Sequence, residues 1–426
     1  MKLYSELSRE ELEALKIDLE AQYENFKKQG LALDMSRGKP NKIQLDISNG
    51  LFDILNSESD MKASDGMETR NYGGLQGIPE CRKLFADLLE VSPDNILIFG
   101  NASLTIMYDY ISQCMIFGCG AEPWIKQGNV KFLCPVPGYD RHFKILEHFG
   151  IEMINIKMND DGPDMDSIEE YVKDSSVKGL FCVPKYSNPD GITFSDEVVR
   201  RFAALKPAAK DFRIIWDNAY MIHDITDTPD TLLNIFDAAK EYGNEDMFIE
   251  VCSTSKITFA GAGVSALAAS EANIKDILSN LTIQTISYDK VNQLRHARYF
   301  KNADGVREHM KKHAQLLKPK FEAVTEGFKK AFDGTGIARW KNPNGGYFVS
   351  LYVMNGCAKR VGQLCKDAGL TLTTVGATYP YGIDPDDSNI RIAPSFPNVD
   401  ELQKAVELLC VCVKLAAVEK LLEKTS

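Results

Sequence analysis

Three short apolar runs, each followed by polar side chains, constrain the fold of this chain more than any other feature. The runs cover residues 181–183, 212–216 and 247–252, and their length and composition are typical of buried strands. The side chains that follow them are Asn188, Asp217 with Tyr220, and Lys256 among small hydroxyl residues. Because the strands of an open α/β sheet bring their carboxyl ends to one edge, where such folds bind ligands, we expect these side chains to share a site.

The segment from about residue 80 to about residue 270 alternates short apolar runs with helical patterns. Strands are predicted at residues 96–99, 130–134, 179–183, 213–216, 248–252 and 264–268. Helices fit between them, for example over residues 103–114 and 195–205. This alternation predicts the α/β class, with a large domain built on a mostly parallel sheet that helices cover on both faces.

The alternation ends near residue 300, which predicts a second domain. There we predict a long charged helix over residues 304–332, strands near 346–353, 370–374 and 389–392, and a last helix over 399–424. The N-terminus is predicted to form an amphipathic helix capped by Ser8, with Glu11 three residues later. We therefore predict a large domain over residues 50–300 and a smaller α+β domain from residues 1–49 and 301–426.

The composition argues against several classes of function. With 60 acidic and 49 basic residues the net charge is −11, which disfavours nucleic acid or an anionic membrane as a partner. No run is long enough to cross a bilayer and the N-terminus has no apolar signal segment, so a cytoplasmic protein is expected. The ten cysteines include no Cys-x-x-Cys pair, which favours reduced thiols and argues against a metal site.

Two turns that enter helices stand out. Taken alone, the glycine-rich stretch over residues 72–82 is explained best by an ordinary loop with a proline in the first helical turn. The stretch Gly100–Ser103 follows a strand and opens a helix, where free N–H groups and the helix dipole suit an anion. A plain helix cap is the alternative.

Three further side chains stand out by their positions in the chain. Tyr139 and His142 follow a predicted strand, so they could contact a cofactor ring, with aromatic packing and a solvated histidine as the alternatives. Arg391 lies inside a short apolar strand, and its planar guanidinium can bind a carboxylate in bidentate fashion. For Arg391 the alternative is an intramolecular ion pair with an aspartate or glutamate.

Lys256 and Asp217 together indicate a cofactor. A lysine that can form a Schiff base and a carboxylate that can pair with a pyridinium nitrogen are the two groups that pyridoxal phosphate needs most. Both follow apolar runs of the same predicted sheet. The sequence therefore predicts a pyridoxal-phosphate site at this edge.

Nearly the whole chain resembles the fold-type I pyridoxal-phosphate aminotransferases of class I/II. It is most similar to the divergent bacterial aspartate aminotransferases sometimes called class Ic or MocR-like, through residues 36–40 (Ser-Arg-Gly-Lys-Pro), 71–77 (Asn-Tyr-Gly-Gly-Leu-Gln-Gly) and 292–296 (Asn-Gln-Leu-Arg-His). The resemblance implies pyridoxal 5'-phosphate as cofactor and a homodimer with shared active sites. It also implies ping-pong transfer of an amino group between an amino acid, with aspartate expected, and a 2-oxo acid such as 2-oxoglutarate.

The resemblance also implies a role for each matching position. Lys256 would bind the cofactor and move the substrate proton, and Asp217 would keep the ring nitrogen protonated. The other positions matching cofactor contacts are Ala102, Ser103, Ser253 and Ser255 around the phosphate, Tyr72 toward the phosphate of the neighbouring subunit, Tyr139 on the ring, His142 behind Asp217, and Asn188 with Tyr220 at the phenolic oxygen. Those matching substrate contacts are Arg391 at the α-carboxylate, Asn188 and Gly38.

One departure from the family concerns the cofactor phosphate. The family usually carries an arginine shortly after the lysine, in a Gly-x-Arg-x-Gly pattern, whereas residues 257–264 contain none. A dicarboxylic substrate would also need a second cation, for which Lys290, Arg295 and, as an outside candidate, Lys39 are available. A solvated surface charge is the alternative for each of the three.

Three alternatives to an aspartate aminotransferase remain open at this point. The chain could be an aminotransferase of other specificity, or a β-lyase or decarboxylase on the same scaffold. It could also be a ligand-sensing regulator, because regulators fuse this fold to a DNA-binding winged helix and fold alone does not settle function. The seventy or so residues before Tyr72 show no helix-turn-helix pattern and no basic character, which disfavours the regulator.

Overall fold

A central seven-stranded sheet organises the computed structural model, which describes residues 2–424. The strands are β1 Leu33–Asp34, β2 Ile96–Ile98, β3 Lys131–Val136, β4 Glu152–Lys157, β5 Val177–Cys182, β6 Arg213–Asp217, β7 Phe248–Ser253, β8 Ser265–Ala269, β9 Ala338–Trp340, β10 Val349–Val353, β11 Leu370–Thr371 and β12 Asn389–Ile392. The α-helices are α1 Arg9–Lys28, α2 Lys42–Asp46, α3 Pro79–Leu89, α4 Ser103–Ile116, α5 Asp140–His148, α6 Met165–Tyr171, α7 Asp196–Ala203, α8 Ile235–Lys240, α9 Glu271–Gln284, α10 Lys290–Phe300, α11 Ala303–Phe332, α12 Ala358–Asp367 and α13 Val399–Lys424.

The large sheet has the strand order β2-β8-β7-β6-β5-β3-β4. Neighbouring strands from β7 to β4 pair in parallel, whereas β8 is antiparallel to both β7 and β2. All five residues of β6 are buried, because helices cover both faces of the sheet. The predicted α/β class with a mostly parallel sheet is confirmed.

Strand periodicity decides which face of the sheet carries the polar residues. Successive side chains of a strand point to opposite faces, so Asp217 shares the face of Ile215 and not that of Trp216. Ile215 packs in the apolar cluster that includes Phe143 of α5, whereas Trp216 packs on the other face against α7 and α8. The carboxylate of Asp217 therefore points toward α5.

A second, smaller sheet has the antiparallel order β12-β10-β9. It shares one apolar core with α1, α12 and α13 and with the C-terminal half of α11. Helix α1 begins at the predicted cap, since Ser8 accepts from the backbone N–H of Glu11 and the Glu11 carboxylate accepts from that of Ser8. The domain boundaries given above stay a prediction.

The structure corrects several predicted element bounds. Strand β4 was not predicted, because only Met153 and Ile156 of this edge strand are buried and the strand includes charged positions. Strand β10 begins at Val349 and not near residue 346, since Gly345 and Gly346 pass so close to Tyr186 that a side chain on either would collide with it. Strand β11 has only two residues. Within residues 2–424, no helix is both long enough and apolar enough to cross a membrane.

Candidate active site

Lys256 lies in the turn that follows β7, beside two tyrosine rings. Its Nζ atom is 5.1 Å from the ring centroid of Tyr220 and 5.8 Å from that of Tyr347. Burial lowers the pKa of Lys256, and the Asp217 carboxylate opposes this effect to a smaller extent. A neutral amine, the form that attacks a carbonyl carbon or accepts a proton, is therefore more accessible here than on a surface lysine.

Asp217 forms a buried pair with His142. Oδ2 of Asp217 lies 3.0 Å from Nε2 of His142, and each side chain is only 3% exposed. The other oxygen, Oδ1, is buried and has no hydrogen-bond partner within residues 2–424. A buried acceptor without a donor costs about 1–3 kcal/mol, and the protonated ring nitrogen of pyridoxal phosphate would supply that donor. The residues present therefore fit this cofactor.

Aromatic packing fixes the imidazole of His142. The ring stacks on Phe181 of β5, with 4.6 Å between the centroids, and meets the Tyr139 ring edge-on at 5.0 Å. Burial raises the pKa of Tyr139 to about 12, so its hydroxyl stays protonated at neutral pH. Tyr139 thus lies at the predicted edge of the sheet, next to the pair formed by His142 and Asp217.

Tyr220 and Asn188 reach the same region from two different loops. Tyr220 is 2% exposed, and burial raises the pKa of its hydroxyl well above the ordinary value of 10.0, so it is a hydrogen-bond donor. Asn188 is 5% exposed, and its Oδ1 accepts a hydrogen bond from Nη1 of Arg391 at 3.3 Å. Both side chains therefore bring polar groups to this region, and their contact with a cofactor stays a prediction.

Hydroxyl groups and a helix N-terminus meet at one corner of this site. Ala102 caps α4 and Ser103 is its first residue, so the free N–H groups of the helix are available there. The hydroxyl of Ser253 donates to that of Ser255 at 3.0 Å, which donates in turn to the carbonyl of Asn101 at 2.9 Å. This corner has the N–H and hydroxyl donors that bind a phosphate, although the segment after Lys256 carries no arginine.

Arg391 forms the intramolecular ion pair that was the alternative to substrate binding. Its Nη1 atom lies 2.8 Å from Oδ1 of Asp140, and its Nε donates to Thr373 Oγ1 at 3.4 Å. The guanidinium also lies 4.8 Å from the ring centroid of Phe348. Phe348 in turn packs against Gly38, where the Cβ of any other residue would lie 2.5 Å from its ring, so only glycine fits there. Gly38 and Arg391 therefore contact the same ring.

The three candidates for a second cation lie in different surroundings. Lys290 is only 3% exposed, so it is not a solvated surface charge; its Nζ donates to the carbonyl of Asn71 at 2.7 Å and to Ser287 Oγ at 3.1 Å. Arg295 is half-buried on α10. Lys39 is exposed, with its Nζ 4.0 Å from the ring centroid of Phe396.

Tyr72 does not pack against its own chain. Its side chain is 80% exposed, which is unusual for a large aromatic residue. The preceding residue, Asn71, is tied to the buried Lys290 through the hydrogen bond described above. Tyr72 is therefore presented outward from an anchored segment.

Comparison with known proteins identifies the family. A family model described as aspartate amino-transferase matches residues 7–425. The chain belongs to the aspartate aminotransferase family. An aspartate aminotransferase of Corynebacterium glutamicum is 47% identical over 404 residues, covering 94% of this chain and 93% of the relative. The crystal structure of an aspartate transaminase from that species has a TM-score of 0.96 at 46% identity and covers 98% and 99% of the two chains. The predicted family and enzyme class are confirmed.

The regulator alternative has a much weaker match. An HTH-type transcriptional regulator of Bacillus subtilis is 24% identical over 223 residues, which is 52% of this chain and 45% of the regulator. A second HTH-type regulator of the same species is 23% identical over 80% of this chain, so both regulators have about half the identity of the Corynebacterium aminotransferase. The family assignment therefore rests on the enzyme relatives.

Sequence reasoning missed three residues of this aspartate aminotransferase site. Tyr347 and Phe348 lie in the apolar run before β10, which has the pattern of ordinary core residues. Asp140 has the pattern of a helix-start carboxylate and gave no signal of its contact with Arg391, 251 positions away. The hydroxyl of Tyr347 donates to the Lys256 carbonyl at 3.5 Å and accepts from the Gln44 amide at 3.1 Å, so it supports the turn that carries the lysine.

Proposed function

We propose that this protein is a pyridoxal-phosphate-dependent aminotransferase that moves an amino group from aspartate to a 2-oxo acid such as 2-oxoglutarate. One observation carries the proposal: Asp217 is buried, paired with His142 through Oδ2, and has an unpartnered Oδ1. A protonated ring nitrogen would supply the hydrogen-bond donor that Oδ1 lacks. The 47% identity to an aspartate aminotransferase supports aspartate as the donor.

The cofactor would be held from three sides. Asp217 and Tyr139 would hold the ring, Asn188 and Tyr220 the phenolic oxygen, and the corner of Ala102, Ser103, Ser253 and Ser255 the phosphate. When bound, pyridoxal phosphate supplies an aldehyde that condenses with amines and a conjugated ring that delocalises the electrons left when the α-proton departs. Residues 257–264, which follow Lys256, contain no arginine. Helix N–H groups and hydroxyls therefore supply most of the phosphate contacts in this proposal.

The protein residues bind the substrate and move its proton. Arg391 binds the α-carboxylate, and the two N–H groups of its planar fork orient the α-carbon toward Lys256. Lys256, with its lowered pKa, accepts the α-proton on Nζ and delivers it again before the keto acid leaves. Tyr347 and Tyr220 flank Nζ and limit its movement, because their rings lie 5.8 and 5.1 Å from it.

We include a homodimer and a cytoplasmic location in the proposal. The exposed Tyr72 and its anchored segment support a dimer in which this residue reaches the phosphate of the partner's site. Further exposed apolar residues, among them Ile283 and Ile286, support an additional covering surface. All ten cysteines are buried thiols rather than disulfides, which supports a reducing compartment.

The half-reaction with aspartate tests the proposed function. Purified protein is loaded with pyridoxal phosphate, and its absorption spectrum and products are recorded after addition of aspartate without any 2-oxo acid. We expect one equivalent of oxaloacetate per site and conversion of the cofactor to its amine form, reversed by 2-oxoglutarate. Release of carbon dioxide would indicate a decarboxylase, and binding without any product would indicate a ligand sensor or a β-lyase, because aspartate has no leaving group on its β-carbon.

A further inference from the structure

Asp140 occupies part of the carboxylate-binding group before any substrate arrives. Its Oδ1 lies 2.8 Å from Arg391 Nη1, the same nitrogen that donates to Asn188 at 3.3 Å. The side chain of Arg391 is 8% exposed and that of Asp140 is 28% exposed. The pair is thus formed by a desolvated guanidinium and a carboxylate that still reaches water.

The electrostatics explain why a carboxylate lies there. A guanidinium that is removed from water needs an anionic partner, because leaving it unpaired costs several kcal/mol. Asp140 supplies that anion, so the ion pair stabilises Arg391 in its position against Phe348. A substrate carboxylate that binds both N–H groups of the fork must therefore compete with Asp140.

The surroundings of Asp140 also allow it to leave. Asp140 is the first residue of α5, where the free N–H groups and the helix dipole stabilise a negative charge. Its partial exposure lets water solvate the carboxylate once the guanidinium is taken over. Release from Arg391 therefore leaves Asp140 in a favourable environment, unlike a carboxylate buried in the core.

We propose that the Asp140 carboxylate competes with substrate carboxylates for the Arg391 guanidinium. In this way Asp140 holds Arg391 in the substrate-free protein and sets the affinity of Arg391 for substrate carboxylates. The inference rests on the proposed role of Arg391 in binding the α-carboxylate. Asp140 acts through Arg391 and is a positioning residue, not a catalytic one. A merely structural role would have the opposite consequence, because loss of the ion pair would then misplace Arg391 and weaken binding.

The test measures binding of unreactive carboxylates, so it does not depend on turnover. Succinate and propionate are titrated calorimetrically into cofactor-loaded wild type, Asp140→Asn and Glu147→Gln. Glu147 lies on the same helix and pairs with the exposed Lys144, so its variant controls for the loss of one negative charge. We expect Asp140→Asn to lower the Kd of both ligands about tenfold, and Glu147→Gln to change it less than twofold. Arg391→Ala should abolish binding.

An unchanged or higher Kd in Asp140→Asn would overturn the inference, provided that its thermal unfolding midpoint stays within a few degrees of wild type. If that variant is destabilised, Asp140→Glu replaces it: the longer carboxylate retains the charge, so it should keep the wild-type Kd within about threefold. A tenfold change of either sign in Asp140→Glu would then contradict the inference. The proposed reaction fails separately, by the absence of oxaloacetate in wild type, while these carboxylate affinities remain measurable.

Discussion

Nε2 of His142 lies 3.0 Å from Oδ2 of Asp217, in a pair whose side chains are each 3% exposed. The pair orients the carboxylate so that its remaining oxygen is free for a ligand. Phe181 and Tyr139 hold the imidazole on two sides, so the orientation does not depend on the hydrogen bond alone. This arrangement gives Asp217 a defined direction before the cofactor binds.

Asp217→Asn should reduce kcat of aspartate transamination by about 10²–10³-fold, because the volume is kept but the charge that holds the ring nitrogen protonated is lost. Steady-state kinetics and cofactor titration would measure the effect. Glu250→Gln is the matched control, since Glu250 is also a buried carboxylate but lies on the other face of the sheet, where it accepts from Asn218 at 2.8 Å. Near-normal kcat in Asp217→Asn would remove Asp217 from the proposed mechanism.

Lys256→Ala should leave no measurable transamination while the protein still folds and binds pyridoxal phosphate, because neither Tyr220 nor Tyr347 can replace the amine as a base. Oxaloacetate formation and thermal unfolding would be compared with wild type. Lys185→Ala gives a comparison, since its ammonium pairs with Asp224 and donates to the Met221 carbonyl. Transamination within tenfold of wild type would contradict the role of Lys256.

Ser255→Ala should weaken cofactor binding, with a Kd for pyridoxal phosphate about tenfold higher. The reason is the loss of one hydroxyl donor in a corner that lacks an arginine, worth about 1.5 kcal/mol or more when the acceptor is charged. Fluorescence titration of the apoprotein would measure it. Ser279→Ala serves as the control, because Ser279 lies on α9, outside the corner of Ala102, Ser103, Ser253 and Ser255, and its hydroxyl donates to the Asp276 carbonyl. Equal affinities in the two variants would place the phosphate elsewhere.

Substrate choice should depend on one of the three candidate cations. Removal of a charged partner from a desolvated carboxylate costs about 2–5 kcal/mol. This cost corresponds to a decrease in kcat/KM by a factor of roughly tens to thousands. Lys290→Met, Arg295→Met and Lys39→Met would each be assayed with aspartate and with alanine. We expect Lys290→Met or Arg295→Met to lower the ratio of kcat/KM for aspartate to kcat/KM for alanine at least tenfold. Because Lys39 is exposed, Lys39→Met should leave this ratio unchanged. No change in any variant would place the second cation elsewhere.

Acid should destabilise the protein through buried histidines. Burial lowers the pKa of His313 to about 4, and both of its ring nitrogens lack a hydrogen-bond partner within the described chain. The imidazole takes up a proton near pH 6.5 in the unfolded chain but only near pH 4 in the folded chain. The free energy of unfolding is therefore highest above pH 6.5 and decreases as the pH falls from about 6.5 to 4. Between pH 7 and pH 5, the free energy of unfolding of His313→Gln should decrease by about 2 kcal/mol less than that of wild type.

Urea unfolding at both pH values would measure this difference. His148→Gln is the control, because His148 is exposed at the end of α5. Equal pH dependence of His313→Gln and wild type would mean that His313 does not carry the acid sensitivity.

Most of the large sheet was predictable, because its strands are continuous apolar runs between helical patterns. The edge strand β4 was not, since only two of its six residues are buried and charges interrupt the pattern. The residues that end β6 and follow β7 were predictable as a site because parallel strands end at one edge. The contact between Asp140 and Arg391 was not, because it joins two distant parts of the chain across 251 positions. The burial of Lys290 likewise depends on the distant carbonyl of Asn71.

The reversed direction of β8 has a consequence for how Lys256 is held. Because β8 is antiparallel to β7, the chain returns to the same edge after a short hairpin and needs no crossover helix. The hairpin is closed at its base by Thr254, whose N–H donates to the Val264 carbonyl at 2.8 Å and whose hydroxyl accepts from the Val264 N–H at 2.9 Å. Lys256 is thus tethered at both ends of its loop. One added residue between Thr254 and Val264 would therefore displace the reactive nitrogen.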